Sequence, residues 1–326
     1  MLIQRKVELL ADQCYKNKEI RGFCHLYDGE EAVSVGLEAG ITKQDHVITA
    51  YRCHGNVLSR GEDIHKVFAE LLGKVTGTSK GKGGSMHYYM TGKRFYGGNG
   101  IVGAQVPVGT GIAFGIKYDG KKEVCVTMYG DGASNQGQLF EAANMAKLWN
   151  LPVIYLCENN LYGMGTSCER ASSNCNYYSR LDRIPGFRVD GMNIFAMRES
   201  IKFAREWCIS GKGPICLEAK AYRYHGHSMS DPGMSYRSRE EVVKVRETRD
   251  PIEKLKNVIR ENKLADDAKM KSIEKEVKEL VESELEKARS APWPDPKVEL
   301  MKDVFSVENE KMFIRNVEYK DSQFAS

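Results

Sequence analysis

Short apolar segments rich in β-branched residues recur along the chain, and this pattern predicts strands that are buried on both faces. Four such segments run from Val47 to Ala50, Val124 to Tyr129, Val153 to Cys157 and Ile215 to Ala219. Between residues 97 and 160, glycines separate alternating strand-like and helix-like stretches. This alternation is typical of an α/β fold with a parallel sheet.

A helical pattern links the second and third of these segments. Between Asn135 and Asn150, apolar side chains recur at helical spacing and form one face. They are Leu139, Ala142, Ala143, Ala146 and Leu148. Strand, helix and strand make a βαβ unit, whose right-handed crossover brings both carboxyl ends to one edge of the sheet. We therefore predict a doubly wound, mostly parallel sheet flanked by helices.

The pattern changes after residue 236, where charged residues dominate. Apolar residues recur there at three- and four-residue steps between Lys and Glu, and Pro292 and Pro294 end the pattern. These positions are Met270, Ile273, Val277, Leu280, Val281, Leu285 and Ala288. We expect an α/β domain over residues 1–236 and a charged helical extension over residues 237–326. The extension is interpreted as packing on the same domain, in preference to a separate partner-binding device.

Composition narrows the function classes. The chain has 326 residues, of which 41% are hydrophobic, and this is enough to build a substantial core. Its 48 Lys and Arg against 44 Asp and Glu leave a charge of +4 without a basic block, so nucleic acid is not an expected partner. No apolar run approaches the roughly 20 residues of a membrane-spanning helix, so no membrane span is expected.

Nine cysteines, an odd number without a C-x-x-C pair, fit neither a disulfide framework nor a zinc site. A reducing compartment is therefore expected. Residues 1–20 show helical spacing but carry Glu8 and Asp12, unlike a secretory signal or a transit peptide. The chain itself thus gives no cellular address.

The residues that could bind a ligand are concentrated where two predicted strands end. Gly130-Asp131-Gly132 follows the strand EVCVTMY, and Asn159-Asn160 follows the strand PVIYLC. Ligands bind at this edge of a doubly wound sheet, and the oxygens of Asp131 and Asn160 are of the type that Mg²⁺ selects. The glycines and the helix that begins after Ala133 suit an anion. A lone G-D-G would be an ordinary turn, but its pairing with N-N across a βαβ unit predicts a site for a metal and a diphosphate.

Three other motifs are weaker indicators of a binding site. Gly109-x-Gly111-x-x-x-Gly115 misses the dinucleotide fingerprint by one residue and predicts close helix packing, which disfavours a nicotinamide oxidoreductase. Lys80 to Gly84 lacks the Walker spacing and is interpreted as a mobile loop. Zinc is not expected at His225 and His227, because no third and fourth ligand follow at a suitable spacing.

These motifs resemble those of thiamine-diphosphate enzymes, in which G-D-G is followed by N-N. Longer stretches are similar to the α subunits of 2-oxo acid dehydrogenase decarboxylases, of the mitochondrial and α-proteobacterial type that acts on pyruvate. They are RGFCHLYDGEEA (21–32), TAYRCHG (49–55), KGKGGSMH (80–87), YGGNGIVGAQVPVGTG (96–111), YGDGASNQGQ (129–138), ENNLYGMGTS (158–167) and YRYHGHSMSDPG (222–233). The resemblance spans most of the chain. It departs at Leu161, where relatives often carry a basic residue, and at Tyr88 to Arg94, which looks longer than usual.

The resemblance implies thiamine diphosphate and Mg²⁺ as cofactors. The metal ligands would be the side chains of Asp131 and Asn160 and the backbone carbonyl of Tyr162. The backbone N–H groups of Gly132 and Ala133 would contact the diphosphate, and its oxygens would also be bound by Tyr51, Arg52 and Arg223. The backbone of Gly100 and Val102 would contact the aminopyrimidine ring. Gly130, His25 and His227 complete the implied cofactor set.

The resemblance also implies catalytic and regulatory residues. His54 and His227 would act at the mouth of the cofactor channel, and Phe23 and His25 would line the approach. Imidazole suits this work because its pKa lies near the operating pH. Ser228, Ser235 and Ser167 would be phosphorylated, Ser228 in a loop accessible to a kinase. The alternative for these serines is that they only cap turns.

The implied partners are a β subunit, in an assembly of two α and two β chains, and the lipoyl domain of a dihydrolipoyl acetyltransferase. Pyruvate would be the substrate, a dedicated kinase and phosphatase would control the enzyme, and the chain would act in the mitochondrial matrix or, alternatively, the bacterial cytoplasm. A branched-chain 2-oxo acid or acetoin stays open as the substrate. A catalytically dead scaffold paralogue is the alternative from a different class.

Overall fold

A computed structural model describes residues 1–300, 302 and 303 of the chain. Within these residues, a sheet contains the strands β1 (His46–Ala50), β2 (Phe95–Asn99), β3 (Cys125–Gly130), β4 (Val153–Asn159), β7 (Gly186–Asp190) and β8 (Ile215–Lys220). The short strands β5 (Tyr162–Gly163) and β6 (Thr166–Ser167) form a separate antiparallel pair.

The helices have the following bounds: α1 Leu2–Lys16, α2 Glu31–Gly40, α3 His54–Ser59, α4 Ile64–Leu71, α5 Gln105–Tyr118, α6 Gly137–Leu148, α7 Cys168–Ala171, α8 Ile194–Trp207, α9 Arg239–Arg249, α10 Pro251–Glu261, α11 Asp267–Ser290 and α12 Pro296–Glu299. Asn193 caps α8 and Asp266 caps α11 by accepting hydrogen bonds from backbone N–H groups of the first turn. No described helix is long and apolar enough to cross a lipid bilayer.

The main sheet has the strand order β2-β1-β3-β4-β8-β7, and its paired strands are parallel. This confirms the predicted α/β fold class. The order reverses between β1 and β3, since the chain moves outward from β1 to β2 and in the opposite direction from β3 to β4. Ligands of doubly wound sheets bind at the carboxyl ends of the strands beside such a reversal. The ends of β1, β3 and β4 therefore define the place to look for a site.

Two hydrophobic cores cover the two faces of the sheet. Val126 and Met128 of β3 point into one core, and Cys125 and Tyr129 point into the other. The first core contains residues of α1, α2 and α8, and the second contains residues of α5 and α6. Gly109 shows how closely α5 lies on the sheet, because a Cβ there would come within 2.0 Å of Thr127 Oγ1. Close helix packing was the prediction for this glycine.

The C-terminal helices lie against the α/β body. Val281, Leu285 and Ala288 of α11 share the first core with Val7 and Ala11 of α1. The helix ends at Ser290, just before the prolines that predicted its end. The described part of the extension thus has no core of its own, and the predicted boundary at residue 236 stays a prediction. Residues 301 and 304–326, which the prediction included, lie outside the described residues.

Candidate active site

A cavity of about 230 Å³ opens at the carboxyl edge of the sheet, where β1, β3 and β4 end. The predicted residues that line it are Tyr51, Arg52, Val102, Gly130, Asp131, Gly132, Ala133, Asn160, Tyr162, Arg223 and His227. A larger groove of about 810 Å³ beside α1 and α11 contains none of the predicted site residues. The chemistry therefore points to the smaller cavity.

Asp131 follows directly on β3 and is buried. Burial raises the pKa of its carboxyl to about 6, and the positive charge of Arg223 opposes this rise. The next residue brings two loops together, because a Cβ on Gly132 would lie 3.2 Å from the Cα of Gly163. A larger side chain at position 132 would push the loop after β4 away from the carboxylate.

Asn160 presents the two ends of its amide to different partners. Its Nδ2 donates to Glu30 Oε1 at 3.1 Å, and its Oδ1 accepts from Arg223 Nη1 at 2.9 Å. The same arginine nitrogen donates to the carbonyl oxygen of Tyr162 at 2.6 Å. Leu161, between the two, adopts a left-handed φ of 76°, unusual for a bulky residue, and its N–H donates to Asn159 Oδ1. This turn directs the Tyr162 carbonyl into the cavity.

The arrangement fits a magnesium ion. Oxygen atoms of Asp131, Asn160 and Tyr162 are hard donors. The cationic guanidinium of Arg223 already donates hydrogen bonds to the oxygens of Asn160 and Tyr162. Within the described part of the chain, no group of three or more His, Cys, Asp or Glu residues could hold a metal. A site with one carboxylate and two neutral oxygens suits a metal that also takes oxygens from a bound phosphate.

Two guanidinium groups, those of Arg52 and Arg223, line the cavity. Arg52 donates to the carbonyl oxygens of Leu26 at 2.7 Å and His227 at 2.8 Å, and these bonds fix its position. The Nε of Arg223 is buried without a hydrogen-bond partner. Burial lowers the pKa of Arg223, and the positive charge of Arg52 lowers it further. A bound diphosphate would relieve both effects, and guanidinium is its preferred partner.

His25, Tyr51 and His227 form an aromatic cluster beside the cavity. The ring centroids of His25 and His227 lie 5.2 Å apart, and Tyr51 lies 4.4 Å from His25 and 5.5 Å from His227. Burial, followed by the positive charge of Arg52, lowers the pKa of His25 to about 2 and that of His227 to about 3. Both imidazoles are therefore neutral at physiological pH, and the Nδ1 atoms of both have no hydrogen-bond partner in the described structure.

Phe23 lies on the outer side of this cluster. Its side chain is 61% exposed and its ring centroid is 6.2 Å from that of His25, which itself is buried. Phe23 and His25 thus lie side by side, and their role in lining the approach stays a prediction.

His54 lies elsewhere than the sequence interpretation placed it. Its imidazole is fully buried, with Nδ1 3.0 Å from the carboxylate of Glu8 and Nε2 2.9 Å from Ser85 Oγ. Ser85 Oγ in turn accepts from the backbone N–H of His25 at 3.4 Å. His54 therefore links α1 to the segment that carries His25, and the expected position at the channel mouth is corrected.

Comparison with known proteins identifies the family of the chain. Residues 1–297 match the family described as "Dehydrogenase E1 component". The chain belongs to this family.

Curated E1 proteins with similar sequences carry consistent names. The chain is 56% identical over 318 residues to "Pyruvate dehydrogenase E1 component subunit alpha, mitochondrial" of Dictyostelium discoideum, covering 98% of this chain and 83% of that protein. It is 59% identical over 290 residues to the "somatic form, mitochondrial" of this subunit from Bos taurus, covering 89% and 74%. The corresponding protein of Homo sapiens is 58% identical over 302 residues, covering 93% and 77%.

Two acidic residues of this E1 chain line the cavity although the motifs did not predict them. Glu30 precedes α2, and Glu158 lies near the end of β4, with its Oε1 accepting from Tyr27 O–H at 2.5 Å. Burial, followed by the negative charge of Glu30, raises the pKa of Glu158 to about 8. Both lie inside stretches quoted for the family resemblance, but only the fold shows that the two carboxyls are buried together.

Gly100 and Val102, which are predicted to contact the aminopyrimidine, differ in their position relative to the cavity. Val102 lines the cavity, and its carbonyl already accepts from Gln136 Nε2 at 2.6 Å. Gly100 is exposed and is not among the residues that line the cavity. A Cβ at position 100 would lie 3.1 Å from His87 Cε1, so this glycine allows the loop to pass close to His87.

The serines that the resemblance marks for phosphorylation differ in exposure. Ser228 is only 6% exposed, which corrects the expectation that a kinase can reach it directly. Its hydroxyl lies 2.9 Å from that of Ser230, which is exposed, as is Ser235. Ser167 caps α7 by accepting from the backbone N–H of Arg170 at 3.4 Å, as its alternative interpretation held.

The basic, glycine-rich segment from Lys80 to Gly84 wraps around a buried carboxylate. Glu70 Oε2 accepts from the N–H groups of Ser79 and Gly81, and Oε1 accepts from those of Gly83 and Gly84, at 2.7 to 3.3 Å. The segment was predicted to be a mobile loop, and its backbone is tied to this one side chain.

Proposed function

We propose that this chain is the α subunit of a pyruvate dehydrogenase decarboxylase. With a β subunit it decarboxylates pyruvate and reductively acetylates the lipoyl group of a dihydrolipoyl acetyltransferase. One observation carries the proposal. In a chain of the E1 family, Asp131, Asn160 and the Tyr162 carbonyl converge with Arg52 and Arg223 on one cavity at the carboxyl edge of the sheet.

The cofactor proposed for this cavity is thiamine diphosphate with Mg²⁺. Asp131, Asn160 and the Tyr162 carbonyl hold the metal, while Arg52 and Arg223 neutralise the diphosphate. The backbone N–H groups of Gly132 and Ala133 reach its oxygens, and Gly132 allows the close approach. Thiamine diphosphate, when bound, supplies the electron sink that decarboxylation of a 2-oxo acid requires.

His25 and His227 are proposed to handle the substrate. A neutral imidazole both donates and accepts a hydrogen bond, so the pair can orient a carboxylate and exchange a proton. The low pKa values of both rings mean that neither adds a further positive charge beside Arg52 and Arg223. His54 is assigned a positioning role, because its contacts go to Glu8 and Ser85.

A second chain is proposed to cover the outer surface of α5 and α6. On α5, Val108, Phe114 and Tyr118 are exposed, and a Cβ on Gly111 or Gly115 would meet nothing within 4 Å. The neighbouring α6 region exposes further apolar side chains, namely Phe140, Met145, Leu148 and Trp149. An exposed apolar patch of this kind marks an interaction surface, and the proposed occupant is the β subunit, in an assembly of two α and two β chains.

The cellular setting follows from the similar proteins. Those cited above are named mitochondrial, and the mitochondrial matrix is the proposed location. The lipoyl domain of the acetyltransferase is the proposed acyl acceptor. A dedicated kinase and phosphatase are proposed to act on the loop that contains Ser228 and Ser235.

Reconstitution tests the proposal. The full chain, co-expressed with the β subunit of its own organism and combined with the rest of the complex, should form NADH when pyruvate is added. The single chain at the same concentration serves as the control and should not turn over pyruvate. Turnover by the single chain, or a higher kcat/KM for branched-chain 2-oxo acids or acetoin than for pyruvate, would contradict the proposal.

A further inference from the structure

Glu30 lies at the amino end of α2, and its side chain is buried against the cavity. Its Oε1 accepts a hydrogen bond from Asn160 Nδ2 at 3.1 Å. Its Oε2 lies 3.6 Å from Arg52 Nε and has no hydrogen-bond partner among the described residues. Arg52 is held by the carbonyls of Leu26 and His227 instead. The hydrogen bond that the Glu30 carboxyl accepts therefore comes from Asn160 and not from Arg52.

The amide of Asn160 has two ends of nearly equal size, and only its oxygen can bind a metal. A rotation by 180° about the last side-chain bond would exchange Oδ1 for the NH₂ group with little steric change. The Glu30 Oε1 atom accepts a hydrogen bond at one end, and the Arg223 guanidinium, which can only donate, contacts the other end. Both partners therefore select the same orientation, in which Oδ1 faces the Arg223 nitrogen that also contacts the Tyr162 carbonyl.

We propose that Glu30 is a positioning residue that fixes the Asn160 amide with its oxygen toward the metal. This inference rests on the proposed function, because it takes Asn160 as a metal ligand. Arg223 selects this orientation only while it contacts Asn160 Oδ1, and a metal ion would take that place. Glu30 approaches from the opposite side, so its hydrogen bond persists when the metal is bound. Partners of this kind behind a metal ligand change metal affinity by about 10- to 100-fold when they are removed.

The test uses the full chain assembled with its β subunit and saturated with thiamine diphosphate. Mn²⁺, which replaces Mg²⁺ as a paramagnetic probe, is titrated and its free concentration is read by electron paramagnetic resonance. Glu30→Met keeps the size of the side chain but removes the acceptor, and it should weaken Mn²⁺ binding about 10- to 100-fold. Glu30→Gln should stay near wild type, because the glutamine can turn its own oxygen toward Asn160 Nδ2.

Measurements in a second genetic background, the Asn160→Asp variant, distinguish a positioning role of Glu30 from a general role in folding. Asn160→Asp places a carboxylate against Glu30, and like charges at this distance repel. Glu30→Gln should therefore improve Mn²⁺ binding in the Asn160→Asp background, although it does not improve binding in the wild-type background. A role in folding alone predicts the same effect in both backgrounds. Glu38→Met, on the same helix α2 but paired with Arg60, is the matched control and should leave the affinity unchanged.

The outcomes distinguish the inference from the proposal on which it rests. If Asp131→Ala and Asn160→Ala bind Mn²⁺ like wild type, the metal site itself is wrong. If these two lose binding while Glu30→Met does not, or if Glu30→Gln fails to improve the Asn160→Asp variant, only the role of Glu30 is overturned. Thermal unfolding of each assembled variant identifies any variant whose fold is disturbed, and Glu30→Gln keeps the test decisive in that case.

Discussion

Arg223 Nη1 lies 2.9 Å from Asn160 Oδ1, and the same nitrogen is 2.6 Å from the Tyr162 carbonyl oxygen. The guanidinium therefore occupies the place at which the proposed metal would bind these two oxygens. Arg223 Nη2 also donates to the Met164 carbonyl and to Tyr236 O–H, which holds the side chain there. A metal ion and the arginine in this position exclude each other.

Substitution of Arg223 should consequently change two affinities in opposite directions. Arg223→Met should bind Mn²⁺ more tightly than wild type when no diphosphate is present, because the competing cation is gone. It should bind thiamine diphosphate about 10- to 100-fold more weakly, because a charge-assisted hydrogen bond is worth about 1.5–3 kcal/mol. Calorimetric titration of the assembled protein measures both affinities.

Arg198→Met is the control for this pair of measurements, since Arg198 is exposed on α8 and bonds to Glu199. Neither affinity should change in this variant. A fall of both affinities in Arg223→Met would show that the arginine does not compete with the metal.

Asp131 should make opposite contributions to metal binding and to the stability of the ligand-free fold. Its folded-state pKa, about 6, is above the ordinary value of an aspartate in an unfolded chain, so the ligand-free fold favours the protonated carboxyl. The resulting stability is present at pH 4 and is lost as the pH rises through 6. Asp131→Asn should therefore raise the free energy of unfolding at pH 7.5, by up to about 3 kcal/mol, while it abolishes tight metal binding.

Urea unfolding of the metal-free chain at pH 7.5 and pH 4 measures this difference, which should vanish at the lower pH. In wild type, the affinity for Mg²⁺ should fall about tenfold per pH unit below about pH 6, because the proton and the metal compete for one carboxylate. Leu161→Ala, at the neighbouring turn, should retain metal binding. Equal binding by Asp131→Asn and Leu161→Ala would refute the assignment of the metal ligand.

The two imidazoles beside the cavity should respond to the charge of the ligand. Arg52 contributes to the low pKa values of His25 and His227, and Arg223 also lowers that of His227. A bound diphosphate neutralises these charges, so we expect the pKa of His227 to rise when inorganic diphosphate and Mg²⁺ saturate the site. Carbon-13 labelled histidine and NMR titration of the assembled protein follow this change.

His65 on α4, which bonds to Thr76 outside the cavity, provides the internal reference, and its signals should not respond to diphosphate. If the titration of His227 were the same with and without saturating diphosphate, the anion would not be bound beside Arg52 and Arg223.

The exposed face of α5 should be necessary for assembly. Phe114→Lys places a charge at the centre of this face, and substitution of a central aromatic residue in an interface costs about 2 kcal/mol or more. We expect sedimentation to show about a 30-fold or greater weakening of the heterotetramer, with the melting temperature of the single chain unchanged.

Phe203→Lys is a matched control, because Phe203 is an exposed phenylalanine on α8, on the opposite face of the sheet. It should leave assembly intact. Loss of assembly in Phe203→Lys alone would move the interface to the α8 side.

Burial predicts the order in which the loop serines accept phosphate. Ser230 and Ser235 are exposed and Ser228 is buried, so a kinase should modify the first two before Ser228. Ser228→Glu should still inactivate the enzyme, because a charge there disturbs the loop that carries His227, whereas Ser228→Ala should keep its activity. Mass spectrometry at early times of phosphorylation gives the order. Phosphate appearing first at Ser228 would show that the loop opens before it is modified.

The sequence predicted those parts of the molecule that local patterns determine. β3 and β4 are continuous apolar segments, and G-D-G and N-N follow them, so the edge of the sheet that carries the candidate site could be predicted from neighbouring residues. β2 contains two glycines and β7 exposes Arg188, which pairs with Glu218 of β8, and neither segment has the apolar pattern of a buried strand. Both therefore escaped prediction.

The remaining differences come from contacts between distant parts of the chain. Arg52 and Arg223 were found through the family resemblance, since nothing local in the sequence marks them as phosphate ligands. The burial of His54 depends on Glu8 of α1, and the contact between Glu30 and Asn160 joins residues far apart in the chain. Such pairs become visible only when the fold brings them together.

The single carboxylate of Glu70 accepts hydrogen bonds from four backbone N–H groups of the glycine-rich segment from Ser79 to Gly84. Four backbone N–H groups end on the same two oxygen atoms, so loss of the Glu70 side chain would remove all four hydrogen bonds together. The segment also leads directly to Ser85, on which His54 and the backbone of His25 converge. Loss of this carboxylate would therefore loosen the segment at four backbone positions together and weaken the support beneath His25.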